Sequence, residues 1–200
     1  MISILAFKQY LQHGPTQVAW SGPDQMRDLI PQLVVLLVYG APATIFLVKS
    51  SESLQSVGIT TKNLWQAVVI GLGLAWVTFY LQPGGFFAKI VKLDSGHGIS
   101  FIFYAFVGFG EEFLFRGYLQ TRLVSWIGRW KGLILASVIM AFLHLPDRIL
   151  IEGMSFGQGA NSCLGLIPLS LLMGIVMIRL GNIVAPGLFH TFANWARTLT

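Results

Sequence analysis

Long apolar segments separated by short polar connectors dominate the pattern of this chain. A membrane-spanning helix needs about 20 predominantly apolar residues, and most of these segments approach that length. The fourth and sixth are short, so neighbouring helices would have to bury them, or they would lie at partial depth. No segment alternates apolar and polar residues as the strands of a membrane barrel do. The segments are Leu29–Val48, Leu64–Gln82, Ile99–Leu119, Gly132–Leu145, Cys163–Leu180 and Ile183–Trp195. The pattern predicts an all-α integral membrane protein, a polytopic, multi-pass bundle of about six transmembrane helices.

The connectors indicate one helical domain with a short amino-terminal part. Residues 1–28 are mixed in character, which predicts a tail or a short surface helix, and residues 29–200 are expected to form a single transmembrane domain. Pro146 is expected to close the fourth segment, because proline cannot donate a backbone hydrogen bond. The stretch Glu152–Ser162 contains three glycines and reads as a loop.

Composition supports a membrane protein and excludes several other classes. The chain is 54% hydrophobic and only 10% charged, whereas a soluble domain averages about 25% charged residues. Its single cysteine, Cys163, excludes an internal disulfide and a thiolate metal cluster. The net charge is +5, but the basic residues are scattered over the connectors. They are therefore expected to meet membrane lipids rather than nucleic acid; the oligomeric state is left open.

Three ionisable side chains interrupt the most apolar part of the third segment. Glu111 and Glu112 follow the run FIFYAFVGFG, and Arg116 comes four residues after Glu112. One ionised side chain at the centre of a membrane helix costs about 2.5–3.5 kcal/mol, so the group indicates a functional site within the membrane. Residues four apart lie on one helix face, which predicts a pair between Glu112 and Arg116. Glu111 points about 100° away and is expected to face a cavity, where it could act as a general base.

Two histidines and an asparagine lie in other apolar segments. His144 is near the end of the fourth segment, and His190 is followed four residues later by Asn194. The imidazole and the amide of the latter two share a helix face, so both could donate hydrogen bonds to one oxygen. Together with the glutamates, these residues predict an acid–base site with oxyanion-stabilising donors.

The order and spacing of these residues resemble the CAAX protease and bacteriocin-processing family, also called CPBP or Abi, of intramembrane glutamic proteases. The resemblance is carried by Glu111-Glu112-x-x-x-Arg116, by His144, and by His190-x-x-x-Asn194. It defines a protease-like core at about residues 99–197. One position departs from the family pattern, because Met140 stands where phenylalanine is usual. Methionine fills a similar apolar volume, so this change concerns packing more than chemistry.

The resemblance implies an intramembrane endopeptidase that hydrolyses a peptide bond of a membrane-associated peptide or protein. CAAX-type and bacteriocin-related processing are the activities it implies. It further implies that Glu111 and His144 activate a water molecule, that His190 and Asn194 stabilise the oxyanion, and that Arg116 fixes Glu112. No cofactor is expected in such a mechanism.

Two alternatives remain at this stage. Two histidines and a carboxylate are also the ligand set of a catalytic zinc ion, so Glu111, His144 and His190 would be the ligands in a metal-dependent form of the same hydrolysis. The chain lacks a His-Glu-x-x-His helix, which favours the metal-free form. The second alternative is a non-enzymatic transporter or scaffold that uses the buried glutamate pair. No inverted repeat favours it.

Two further features lie just beyond Pro146. Residues 153–157, Gly-Met-Ser-Phe-Gly, match the serine-hydrolase elbow pattern. That pattern has meaning only between a strand and a helix, so we interpret the match as chance. Arg148 lies in the connector Asp147–Ser162 and is a candidate contact for a substrate carboxylate, because loops beside a site often carry function.

Overall fold

A computed structural model of the protein describes residue 37, residues 40–81, residue 93 and residues 95–199. The tail at residues 1–28 and most of the first apolar segment lie outside these ranges. Within them the chain is helical and contains no strand, which confirms the all-α prediction. A 3-10 turn, Leu54–Val57, precedes the second helix, and a π-helical segment, Phe113–Gln120, joins the third helix to the fourth. The helices are α1 Gly40–Lys49, α2 Leu64–Leu81, α3 Ser95–Glu112, α4 Thr121–Ile127, α5 Arg129–Leu143, α6 Leu145–Leu150, α7 Phe156–Leu180 and α8 Val184–Trp195.

Four helical stretches of the described chain are long and apolar enough to cross a membrane. Large apolar side chains such as Trp65, Trp76 and Phe106 are exposed on their outer surfaces, as expected for helices that face lipid. The sixth predicted segment forms the short helix α8, which packs against α2 and α3. The stretches are Leu64–Leu81, Gly96–Ile127, Arg129–Leu150 and Phe156–Leu180. The protein is therefore an integral, multi-pass membrane protein.

Two boundary predictions were wrong. The third segment does not end at Leu119, because the π-helical segment continues directly into α4. The stretch Glu152–Ser162 is not a loop throughout, since α7 begins at Phe156. A capping box starts this helix: the Gln158 N–H donates to Ser155 Oγ (3.4 Å), and the Ser155 N–H donates to Gln158 Oε1 (2.9 Å). The serine of the elbow-like sequence is thus a helix cap.

Glycines allow α8 to approach α3 closely. A Cβ atom added at Gly108 of α3 would lie 2.9 Å from both the backbone nitrogen and Oγ1 of Thr191. A Cβ atom added at Gly187 of α8 would lie 2.6 Å from the ring of Phe109. Backbone atoms cannot move aside unless the helices separate. The absence of side chains at these positions therefore sets the distance between the helix that carries the glutamates and the helix that carries His190.

We expect Gly108→Ala to destabilise the protein by about 1–3 kcal/mol, the usual cost of overpacking. The better helix propensity of alanine, about 1 kcal/mol, offsets part of this cost. Gly73→Ala is the matched control, because a Cβ atom there would meet nothing within 4 Å. Thermal unfolding of the two variants in detergent measures the difference. Equal unfolding midpoints would show that close approach at Gly108 is not required.

Candidate active site

The two glutamates lie in the last turn of α3, immediately before the π-helical segment. Such wide turns occur frequently at functional sites. Glu112 is 1% exposed and Arg116 is 2% exposed, so both charges are removed from solvent. The Arg116 Nη1–H donates to Glu112 Oε1 at 2.9 Å, which is the pairing that their spacing predicts. Each buried charge is thus compensated by the other.

Helix α7 also contacts Arg116 of this pair and Gln120, one turn later. The Arg116 Nη2–H donates to Ser170 Oγ at 3.3 Å, and one turn later the Gln120 amide donates to the Gly174 carbonyl at 3.0 Å. A Cβ atom at Gly174 would lie 2.6 Å from Gln120 Oε1, so glycine is needed for this contact. Sequence reasoning missed Ser170 and Gln120. The only sequence signal for this contact is a shared spacing: Arg116 and Gln120 are four residues apart, and so are Ser170 and Gly174.

His190 reaches the buried pair from α8. Its Nδ1 atom lies 2.9 Å from Glu112 Oε1. Because Arg116 holds that oxygen as a carboxylate acceptor, Nδ1 carries the proton and donates it. The bond fixes the ring orientation and directs Nε2 to within 3.7 Å of Glu111 Oε2. Sequence reasoning assigned a role to each of these side chains but did not show that Glu112 holds His190.

His144 occupies the break between α5 and α6. Helix α5 ends at Leu143, and Pro146 lies in the first turn of α6, where its missing N–H is tolerated. His144 Nδ1 lies 2.8 Å from the Met140 carbonyl oxygen. A carbonyl can only accept, so Nδ1 carries a proton and Nε2 is left to face Glu111 Oε2 at 3.5 Å. The contact uses the backbone of Met140, so its departure from the family pattern does not disturb it.

Glu111 Oε2 is the point at which the two imidazoles converge. This oxygen is buried and has no hydrogen-bond partner within the described chain. Its distances to the two Nε2 atoms, 3.5 and 3.7 Å, exceed an ordinary hydrogen bond of about 2.9 Å. A water oxygen that lies beside these three atoms can be within hydrogen-bond distance of each of them. The Glu111, His144 and His190 side chains are 24%, 23% and 19% exposed, although Glu111 Oε2 itself is buried. The Glu112 side chain is only 1% exposed.

Asn194 lies one turn after His190 on α8 and is half-buried. No hydrogen bond joins its amide to another of the predicted site residues within the described chain. The other five form one connected set of side chains, which runs from Arg116 through Glu112, His190 and Glu111 to His144. The inclusion of Asn194 in the site stays a prediction, based on its position one turn after His190.

The described residues contain no group of three or more histidine, cysteine, aspartate or glutamate side chains arranged to hold a metal ion. Cys163 is fully buried in α7, as is typical of an inert thiol. The zinc alternative concerns the three side chains that converge at Glu111 Oε2, and it is tested by chelation below.

Comparison with known proteins places the chain in a family. No curated protein and no solved structure matches the chain. Residues 96–196 match the family described as type II CAAX prenyl endopeptidase Rce1-like. The matched range starts in the first turn of α3 and ends just after α8, so it covers half of the chain and contains all six predicted site residues. It also agrees with the protease-like core predicted at about residues 99–197. The chain therefore belongs to the Rce1-like family of type II CAAX prenyl endopeptidases.

Proposed function

We propose that this protein is an intramembrane endopeptidase that hydrolyses a peptide bond close to the carboxyl terminus of a prenylated, membrane-associated CAAX-type substrate. One observation carries the proposal: Glu111 Oε2 lies 3.5 Å from His144 Nε2 and 3.7 Å from His190 Nε2, inside an apolar helical bundle. Family membership favours a peptidase over a transporter or a scaffold. A carboxylate beside two imidazoles can supply the general base and a hydrogen-bond donor that water-driven acyl transfer uses.

In the proposed mechanism, a water molecule binds between Glu111 and His144. It donates one hydrogen bond to the carboxylate and one to Nε2 of His144, which is unprotonated in the neutral tautomer that the Met140 carbonyl selects. The water oxygen attacks the peptide carbonyl carbon as its proton passes to Glu111. When the C–N bond breaks, Glu111 returns the proton to the leaving amine, and the products are a new carboxyl group and a free amine.

His190 serves the oxyanion in this mechanism. Its Nδ1 contact with Glu112 directs Nε2 towards Glu111, and the mechanism places a proton on Nε2. Its Nε2–H then donates to the oxygen that becomes negative, and the Asn194 amide supplies a second donor from the next turn. Fixed donors in surroundings with little water stabilise such charge strongly. Arg116 acts through Glu112 and is a positioning residue.

The direct test uses the purified full chain in lipid vesicles with a peptide that ends in a prenylated CAAX sequence. We expect mass spectrometry to show a product cleaved within the last four residues. The same peptide without the prenyl group and a membrane peptide without the CAAX sequence are the controls. Cleavage of none of the three would contradict the proposal. Bacteriocin-related processing stays a prediction, and a bacteriocin precursor in the same assay tests it.

Removal of metal ions is expected to leave the cleavage rate unchanged, because side chains supply the base and the oxyanion donors in the proposed mechanism. The measurement compares kcat before and after dialysis against a strong chelator, with metal content determined on the same samples. A loss of activity that zinc restores would support the metal-dependent alternative, with Glu111, His144 and His190 as ligands.

A further inference from the structure

A second charged pair lies one helical turn beyond His144. Arg148 of α6 is 5% exposed, and its guanidinium group donates to the Glu152 carboxylate. Within the described chain, Arg148 Nε and Glu152 Oε2 are both buried without a hydrogen-bond partner. A pair that served only to close a helix turn would not need a buried donor left unused. A guanidinium group can form two parallel hydrogen bonds with one carboxylate, so Arg148 has capacity for a better-placed acceptor.

The position of Arg148 relative to Glu111 follows from the register of α7. Arg116 contacts Ser170 and Gln120 contacts Gly174, so α7 runs parallel to the π-helical segment. Gly159 of α7 lies against Arg148, because a Cβ atom there would be 3.5 Å from the Arg148 Cβ.

Gly159 precedes Ser170 by eleven residues, a rise of about 16 Å in an α-helix. Glu111 precedes Arg116 by only five residues, or about 7 Å. The difference places Arg148 roughly 9 Å beyond Glu111 along the bundle, on the side from which α7 begins.

This separation matches the end of a CAAX-type substrate. Such a chain terminates in a free carboxylate, and an extended chain advances about 3.3–3.6 Å per residue. A carboxylate three residues beyond the cleaved bond would therefore lie about 10 Å from the water that Glu111 activates. We propose that Arg148 binds the carboxyl-terminal carboxylate of the substrate, and that Glu152 occupies this binding site until the substrate displaces it. The inference rests on the proposed function and adds the feature by which the substrate terminus is recognised.

The surroundings of Glu152 suit a group that can be displaced. Glu152 follows α6, outside the membrane-spanning stretches. The pKa of its carboxyl group is raised, mainly by burial and also by the negative charge of Asp147. The positive charges of Arg148 and Arg197 offset part of this increase. Burial therefore disfavours the charged form of Glu152, which Arg148 and Arg197 favour. A substrate carboxylate that brings its own binding energy from the neighbouring residues can take its place.

Two peptides that differ only at the terminus, one with a free carboxylate and one with a carboxamide, test this inference with the full chain in lipid vesicles. We expect the wild-type protein to prefer the carboxylate by about 10- to 100-fold in kcat/KM, the range for a hydrogen bond to a charged group. Glu152→Gln removes the competing carboxylate, so it should raise the ratio of kcat/KM for the carboxylate peptide to kcat/KM for the carboxamide peptide several-fold.

The double variant Arg148→Gln/Glu152→Gln leaves no unpaired charge and should lose the preference. The control is Glu52→Gln/Arg122→Gln, which removes an exposed pair elsewhere in the chain and should keep the preference. Equal cleavage of both peptides by the wild-type protein, or a preference that survives in the double variant, would overturn the role of Arg148 and leave the proposed function standing. Cleavage of neither peptide would overturn both. If the double variant does not fold, the ratio of cleavage rates of the two peptides by the wild-type protein decides the question.

Discussion

Glu111→Gln is expected to lower kcat for the CAAX-type peptide by about 100- to 10,000-fold, the usual contribution of a general base. Glutamine has the shape of glutamate but cannot take the proton of the attacking water. The carboxylate is partly exposed and has no arginine partner among the described residues, so the substitution leaves no buried charge unpaired. We therefore expect the thermal unfolding midpoint to stay near that of the wild-type protein.

Glu52→Gln is the matched control for this substitution. Glu52 is also a glutamate, but it lies outside the catalytic site and pairs with Arg122 at the surface, so cleavage should continue at the wild-type rate. Peptide cleavage and unfolding are measured on the same preparations. Near wild-type cleavage by a folded Glu111→Gln protein would contradict the assignment of Glu111 as the base. This result would not bear on whether the substrate is a CAAX-type peptide.

Arg116→Met is expected to destabilise the protein by about 3–5 kcal/mol, because it leaves the Glu112 carboxylate buried without its cation. Arg122→Met is the control, since Arg122 and Glu52 are 29% and 38% exposed and exposed pairs contribute about 0–1 kcal/mol. Chemical unfolding in detergent measures both variants. Similar losses for the two would show that the pair at Arg116 is not protected from water.

The double variant Arg116→Met/Glu112→Gln separates stability from catalysis. The charges are removed together, so most of the lost stability should return. Activity should not return, because a neutral amide no longer holds His190 as the carboxylate does. Recovery of full cleavage together with stability would show that Arg116 and Glu112 only support the fold and do not position His190.

Much of the fold could be predicted from the sequence, because the bilayer imposes a strong and simple constraint. Apolar segments near 20 residues must become helices in lipid, where every backbone polar group has to be paired within the segment. The boundaries were less accurate. Ser155 starts α7 inside a stretch that composition assigned to a loop, since a local capping box outweighed three glycines. The π-helical segment after Glu112 left no signal in the spacing of apolar residues.

The site was predicted as far as local geometry allows. Glu112 and Arg116 pair across one helical turn, and spacing along a single helix is sufficient to predict that contact. The contacts of His190 with Glu112, and of Arg116 with Ser170, join residues 78 and 54 positions apart. Such contacts depend on which faces two helices present to each other, and the apolar pattern of a membrane helix, which is exposed to lipid on one side and to protein on the other, does not specify this.

The sequence alone indicates a multi-pass helical membrane protein with an unusual set of charges in its third segment. Both features can be read from the sequence because polar groups are costly in lipid, so long apolar segments and the charges within them stand out. The packing of different helices against one another was needed to show that two imidazole nitrogens meet one carboxylate oxygen of Glu111, and that His190 contacts the buried Glu112. These arrangements depend on helix register and on close contacts at glycines such as Gly108. A shift of about one turn, 5.4 Å, would separate the pairs that join different helices.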